Sequence, residues 1–135
     1  MSVRIIKNED YENILVDWWK SWPGWSNPPS KDSLPMNTGV IVSNGDVDVC
    51  AGFLYLTNSK IAWIEYIVSN FEVKDRNVRS MCIKETINAL SLMAKNSGFI
   101  YIYTSLKSES LANAYKECGF HMGSTNCSEM IKIIK

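Results

Sequence analysis

Three groups of side chains in this sequence are of types and spacings that could do chemistry. Glu65 sits in an apolar run in which a two-residue period puts Trp63 and Ile67 on its own face of a strand. A carboxyl group with such neighbours titrates above its ordinary range, which suits a general base, although a glutamate facing solvent or a cationic partner would leave the same pattern. The second group is cationic: Lys74, Arg76, Arg79 and Lys84 surround the start of a long helical segment, where the helix dipole disfavours positive charge. An anion held by backbone N–H groups and guanidinium forks would account for them, as would solvated helix-end charges. The third is aromatic. Trp18, Trp19, Trp22 and Trp25 lie within eight residues, and spacing with Ile14 assigns Trp18 and Trp22 to a core while leaving Trp19 and Trp25 outside that repeat.

Other chemistries have little support. Cys50, Cys82, Cys118 and Cys127 show no CxxC pair, and His121 is the lone histidine, so neither a zinc site nor a disulfide framework is expected and the thiols read as small core residues. Cys118 stands three residues after Tyr115 and three before His121, and a covalent cysteine mechanism is not expected. Fourteen basic residues balance fourteen acidic ones, so no global field gathers nucleic acid or an anionic membrane, and a nucleic-acid acceptor would need a local patch. The first ten residues are charged and no apolar run is long enough to span a bilayer, so a cytoplasmic location is expected.

The elements that must position these groups follow from periodicity and punctuation. Val3 and Ile5 open a strand, Asn8 stands as an N-cap, and Tyr11, Ile14, Leu15, Trp18, Trp19 and Trp22 recur at helical spacing until Pro23-Gly24. A loop or broken helix follows through Pro35. Thr38–Ser43, a turn at Asn44-Gly45-Asp46, Val47–Leu56 and Ile61–Val68 predict three consecutive antiparallel strands. A long helix from about Asn77 to Asn96 carries Met81, Ile83, Ile87, Leu90, Met93 and Ala94 on one face and ends at Gly98. Phe99–Thr104 is a compact strand, Ser108 or Ser110 caps a helix over Leu111–Glu117 that Gly119 stops, and Met130–Ile134 is a last run of strand type. At 135 residues, a single domain over 1–135 is expected.

That order resembles the GNAT N-acetyltransferases over nearly the whole chain. The segment GFIYIYTSLKSESLANAYKECGF, with Tyr115, Gly119 and Phe120, is similar to the family's strand and capped helix ending in tyrosine and Gly-Phe. Ser108 stands where the family often has asparagine. The resemblance implies an α/β fold of α+β type: a mixed, mostly antiparallel sheet with one splayed parallel pair and helices on both faces. It implies direct transfer of an acyl group, as acetyl-CoA or a close relative, to an unidentified amine acceptor, with Glu65 as base and Tyr115 as acid. It places pantetheine on the strand backbone at Ile67 and Val68, the pyrophosphate at Arg76, Arg79, Ser80 and Met81, and Ser108 beside the cofactor. Trp19 and Trp25 would then line the acceptor site.

IEYIVSNFEVKDRNVRSMCIKETINAL departs from the family at the phosphate loop, because no glycine occurs between Gly52 and Gly98. Starting the motif at Arg76 puts Arg79 and Met81 at the glycine positions; starting it at Arg79 puts Cys82 and Lys84 there. The tryptophan-rich first helix, Leu34-Pro35 with Gly39 before the meander, and the arginine-bearing loop resemble small GNAT variants of bacteriophage type, which would act in host cytoplasm. A GNAT-shaped binding module without catalysis fits the missing glycines, and a base-modifying enzyme whose tryptophans stack nucleobases is a third class. No membrane partner or metal is expected, and a homodimer is compatible with the sequence.

Overall fold

The computed structural model describes residues 1–24 and 27–134. Five strands, β1 (Ser2–Ile5), β2 (Gly39–Asn44), β3 (Val47–Tyr55), β4 (Ile61–Ser69) and β5 (Tyr101–Tyr103), form one sheet in sequence order. The first four pair antiparallel, while β4 and β5 run parallel. Parallel neighbours need a long crossover, and α2 (Arg76–Asn96) supplies it. This is the mixed sheet, with one parallel pair, that the resemblance implied. The β2–β3 hairpin closes over two residues, Asn44 pairing with Val47, and Gly45 takes a φ of +63° there, a conformation that favours glycine.

Each face of the sheet has its own layer. A π-helical turn (Tyr11–Leu15) runs into α1 (Val16–Ser21), and Leu15, Trp18 and Trp19 pack on Ile41, Ala51, Phe53 and Val68. The opposite face, bearing Val40, Leu54, Ala62 and Ile64, takes Ile87, Leu90 and Ala94 of α2 and Tyr115 of α3 (Glu109–Glu117). The helix sits close: a Cβ at Gly52 of β3 would lie 3.0 Å from Thr86 Cγ2 and 3.1 Å from Leu90 Cδ1. Both long helices end as the sequence predicts. Gly98 and Gly119 have φ of +88° and +94°, and Phe99 N and Phe120 N donate back to Ala94 O and Tyr115 O, as in a Schellman closure.

Four expectations are corrected. Asn8 does not cap the first helix; Asp10 organises the turn instead, accepting from Lys7 N at 2.7 Å and from Arg4 at 2.8 Å. On α2 the buried stripe is Cys82, Thr86, Ile87, Leu90 and Ala94, and Met81 is exposed. Thr86 is accepted there because its hydroxyl donates to Cys82 O at 2.7 Å. The scattered thiols divide: Cys50 and Cys82 are buried, Cys118 is partly so and Cys127 is exposed. Met130–Ile134 forms no strand, and Met130, Ile131, Ile133 and Ile134 are 79–91% exposed. An apolar run becomes a strand only where a neighbour takes its backbone groups, and no described strand pairs with this one.

Candidate functional site

β4 is the backbone of the site, and its two halves differ. Ile61, Ala62 and Trp63 pair with Tyr101, Ile102 and Tyr103, but β5 stops there while β4 continues to Ser69. From Ile64 onward, β4 has β3 on one side and no described strand on the other. Side chains and a loop amide bridge the first part of the gap. The Thr104 hydroxyl donates to Ile64 O at 2.7 Å, and Ser105 N donates to Glu65 Oε1 at 2.8 Å. Thr104 Oγ1 also lies 3.3 Å from Tyr115 Oη. Glu65 and Tyr115, fifty residues apart in the sequence, thus engage adjacent residues where the strands part.

The β3 side of β4 explains why the strand bends away. Glu65 pairs with Phe53 and Val68 with Ala51, so β4 uses one residue more than β3 between these pairs. Tyr66 takes that bulge at φ +58°, a left-handed conformation that costs a tyrosine about 1–3 kcal/mol. The bulge breaks the two-residue period. Tyr66 joins the face of Glu65, its ring centroid 6.4 Å from that of Tyr55, and Ile67 turns toward α2. The expectation that Ile67 shares a face with Glu65 is therefore corrected. Nothing in the sequence marks this bulge, since Tyr66 is neither glycine nor asparagine.

Burial pushes the Glu65 carboxyl above its ordinary range; the Ser105 N–H opposes that shift and the charge of Glu129 adds to it. No described lysine or arginine forms an ion pair with it. Tyr115 is 3% exposed, packed edge-on against Phe120 at 4.9 Å. Burial raises its phenol, with the Thr104 hydroxyl opposing and the charge of Glu65 adding. The Tyr55 phenol is likewise raised by burial and then by Tyr66 and Glu65, and it donates to Ser33 O at 2.6 Å. A carboxyl and a phenol, both of raised pKa, thus lie on either side of the sheet where β4 and β5 part, Glu65 on the α1 face and Tyr115 on the α2–α3 face.

The start of α2 holds its charges differently from the sequence expectation. Asp75 caps the helix, its carboxylate accepting from Asn77 N at 2.9 Å and Val78 N at 3.4 Å. Arg79 folds back to donate to Val73 O at 2.9 Å and lies 5.7 Å from the Trp22 ring centroid. Lys74 sits 3.9 Å from the Phe71 ring centroid, and Lys84 pairs with Glu117 at 3.0 Å. Three of the four cations therefore have partners within the chain. Arg76 and Ser80 are exposed, as is Met81. Ser108 caps α3, accepting from Leu111 N at 3.2 Å, with Ser110 Oγ 2.9 Å away.

The tryptophans are also rearranged. Trp19, expected at a ligand groove, is fully buried and stacked on Phe53 at 6.3 Å, because Leu15, Trp18, Trp19 and Trp22 lie at i, i+3, i+4 and i+7 on the helical face that meets the sheet. Trp22 is half-buried at the end of β4, donating to Ser69 O at 2.7 Å with Phe71 edge-on at 4.9 Å. Trp25 lies outside the described residues. Trp63, which sequence spacing offers only as a neighbour of Glu65, instead stands beside the opening, 5.2 Å from Tyr103.

No family model matches the sequence, and no curated protein matches it. Solved structures do match in fold. TTHA1254 from Thermus thermophilus is similar with a TM-score of 0.68 and 14% identity over 100% of both chains. Rv2747 from Mycobacterium tuberculosis, in complex with CoA and NLQ, gives 0.71 and 12% over 95% of this chain and 76% of that one. Glucosamine-6-phosphate N-acetyltransferase from Arabidopsis thaliana gives 0.64 and 10% over 97% and 98%. The mixed five-stranded sheet and its helices are thus a fold that this chain shares with these structures. No described helix is long and apolar enough to cross a membrane.

Proposed function

We propose that this protein is a CoA-dependent N-acyltransferase of the GNAT type. The observation that carries the reading is the parting of β4 from β5 at Trp63 and Tyr103, with Glu65 and Tyr115 meeting there through Ser105 and Thr104. An open strand edge at Ile67 and Val68 offers backbone amide groups to the amides of pantetheine, and Arg76, Ser80 and Met81 are exposed near the α2 start for the phosphates. Fold neighbours that are acetyltransferases, and a neighbour solved with CoA, support an acyl-CoA as donor.

In this reading the ammonium of the acceptor loses a proton to the Glu65 carboxylate, directly or through water. The free amine attacks the thioester carbonyl, a C–N bond forms, the C–S bond breaks, the CoA thiolate takes a proton from the Tyr115 hydroxyl, and the acylated nitrogen releases its second proton to solvent, which restores the phenol. Amide and free CoA leave; the acceptor's proton is returned to solvent from Glu65.

The phosphate end fits less readily. The Asp75 carboxylate already accepts from the α2 N–H groups, and Arg79 is engaged by Val73 O, so a pyrophosphate there must displace a carboxylate. That observation favours the second reading, a GNAT-shaped protein acting through contact without catalysis. Native mass spectrometry for co-purified CoA, followed by titration with acetyl-CoA and assay of thiol release over a panel of amines, separates the two. Acetyl-CoA binding with acceptor-dependent thiol release supports the transferase; no binding at millimolar acetyl-CoA overturns it.

A further inference from the structure

The face of the sheet that carries Glu65 is covered only in part. α1 shields Phe53, Ile41 and Ala51 and reaches β4 at Val68, but Trp63 and the β5 residues it pairs with stand outside that cluster. There the surface is aromatic: Tyr55, Trp63 and Tyr66 are half-buried, and Tyr103 is 51% exposed. Their rings form two contacting pairs, Tyr55 with Tyr66 at 6.4 Å and Trp63 with Tyr103 at 5.2 Å. Glu65 lies between Trp63 and Tyr66 in sequence and shares their side of the sheet, since it registers with Phe53 and Trp63 registers with Tyr55.

The chemistry of this surface is one-sided. It has π faces and a carboxylate, and the described cations that form ion pairs are committed elsewhere: Arg4 to Asp10, Lys31 to Glu12 and Lys84 to Glu117. One Glu65 oxygen takes the Ser105 N–H, and its charge has no counter-ion among the described residues. A half-buried carboxylate beside aromatic faces attracts an organic cation by charge and by cation–π contact. It offers no ion-paired cation to a phosphate or carboxylate on the same ligand, and its flat aromatic faces match a flat aromatic body, with ring hydroxyls and the indole N–H at the edges.

We infer that the acceptor seat at Glu65 is built for an arylalkylamine: a primary ammonium placed at the Glu65 carboxylate, carried on a flat aromatic body that rests on Trp63, Tyr66 and Tyr103. This rests on the transferase reading for its consequence, acylation of that amine, but not for the binding itself. The ammonium placed there is also the one whose proton Glu65 would accept before C–N bond formation.

The probe is phenethylamine as its ammonium at neutral pH, titrated into the full-length protein and followed by NMR, with ethanolamine and 2-phenylethanol as controls that lack the ring or the charge. Phenethylamine is expected to bind about tenfold or more tightly than either control. Glu65→Gln should reduce the preference over 2-phenylethanol, and Tyr103→Ala, a change at an exposed side chain that leaves folding intact, should reduce the preference over ethanolamine. Equal affinity for all three ligands, or phenethylamine binding untouched by both substitutions, overturns the inference. Acetyl-CoA binding is measured on the same samples. Binding of the amine without acetyl-CoA sinks the transferase and keeps the seat, whereas binding of acetyl-CoA without preference for the amine does the reverse.

Discussion

Asp10 and Glu65 are both carboxylates on the α1 side of the molecule, and they are treated in opposite ways. Asp10 is 6% exposed and receives a two-pronged Arg4 guanidinium at 2.8 and 3.2 Å plus Lys7 N. Burial pushes its pKa up, but those donors and charges outweigh burial and hold it below the usual range. Glu65 has a single backbone N–H and no described cation, and its pKa is raised, by burial above all. A carboxylate that serves only the fold brings its counter-charge within the chain; one left without it is available to a ligand that does. The same contrast separates Trp19, sealed against Phe53, from Trp63 beside the opening.

The largest effect expected from breaking the sealed side is at Trp19. Trp19→Ala removes a fully buried ring and should cost about 3–5 kcal/mol, read as a lower denaturant midpoint with the unfolding slope unchanged. Trp63→Ala should cost clearly less, because its ring is half-buried; equal losses would erase the distinction between the two layers.

Next comes the structural carboxylate. Asp10→Ala removes a charge-assisted pair and a backbone acceptor, with an expected loss of about 1.5–3 kcal/mol. Its pH dependence has a definite sign. A group whose folded pKa is lowered stabilises fully above its unfolded pKa and loses that contribution as pH falls through the folded value. The stability difference between wild type and Asp10→Ala should therefore shrink below about pH 4, measured by urea unfolding across acid pH.

Glu65 should behave with the opposite sign. Its folded pKa is raised, so its relative stabilisation is present at low pH and lost as pH rises through the folded value. Glu65→Gln should be neutral or slightly more stable than wild type near pH 7, and the advantage should vanish in acid. If the transferase reading holds, the same substitution flattens a rate that otherwise rises through a pKa above that of free glutamate. A Glu65→Gln protein both fully active and less stable at pH 7 would make Glu65 a structural carboxylate like Asp10.

The smallest change is at the α2 cap. Asp75→Asn keeps the capping oxygen and removes the negative charge, so stability should change by only a few tenths of a kcal/mol. Acetyl-CoA affinity should rise, because the phosphate no longer meets a carboxylate at the first-turn N–H groups; an unchanged or lower affinity places the phosphates elsewhere.

Strand order and the helix ends were legible because they rest on local rules: a two-residue hairpin at Gly45, glycine stops at Gly98 and Gly119, and the Ser108 cap all need only neighbouring residues. Periodicity likewise identified Glu65 as a carboxylate on an apolar strand. Several features depended on distant partners. The bulge at Tyr66 is offset by pairing across β3 and breaks the period that sequence reading assumed. Thr104 and Ser105 became part of the site only when α2 carried β5 back beside β4, forty residues away in the chain. The basic cluster lost its apparent emptiness once Val73 O, Phe71 and Glu117 were in place, and Met130–Ile134 stayed out of the sheet for want of a neighbour. Local sequence determined which elements form, because their signals act over a turn or a strand. The tertiary structure decided which charges are neutralised within the described residues and which are not, since a counter-charge is a matter of distance in space.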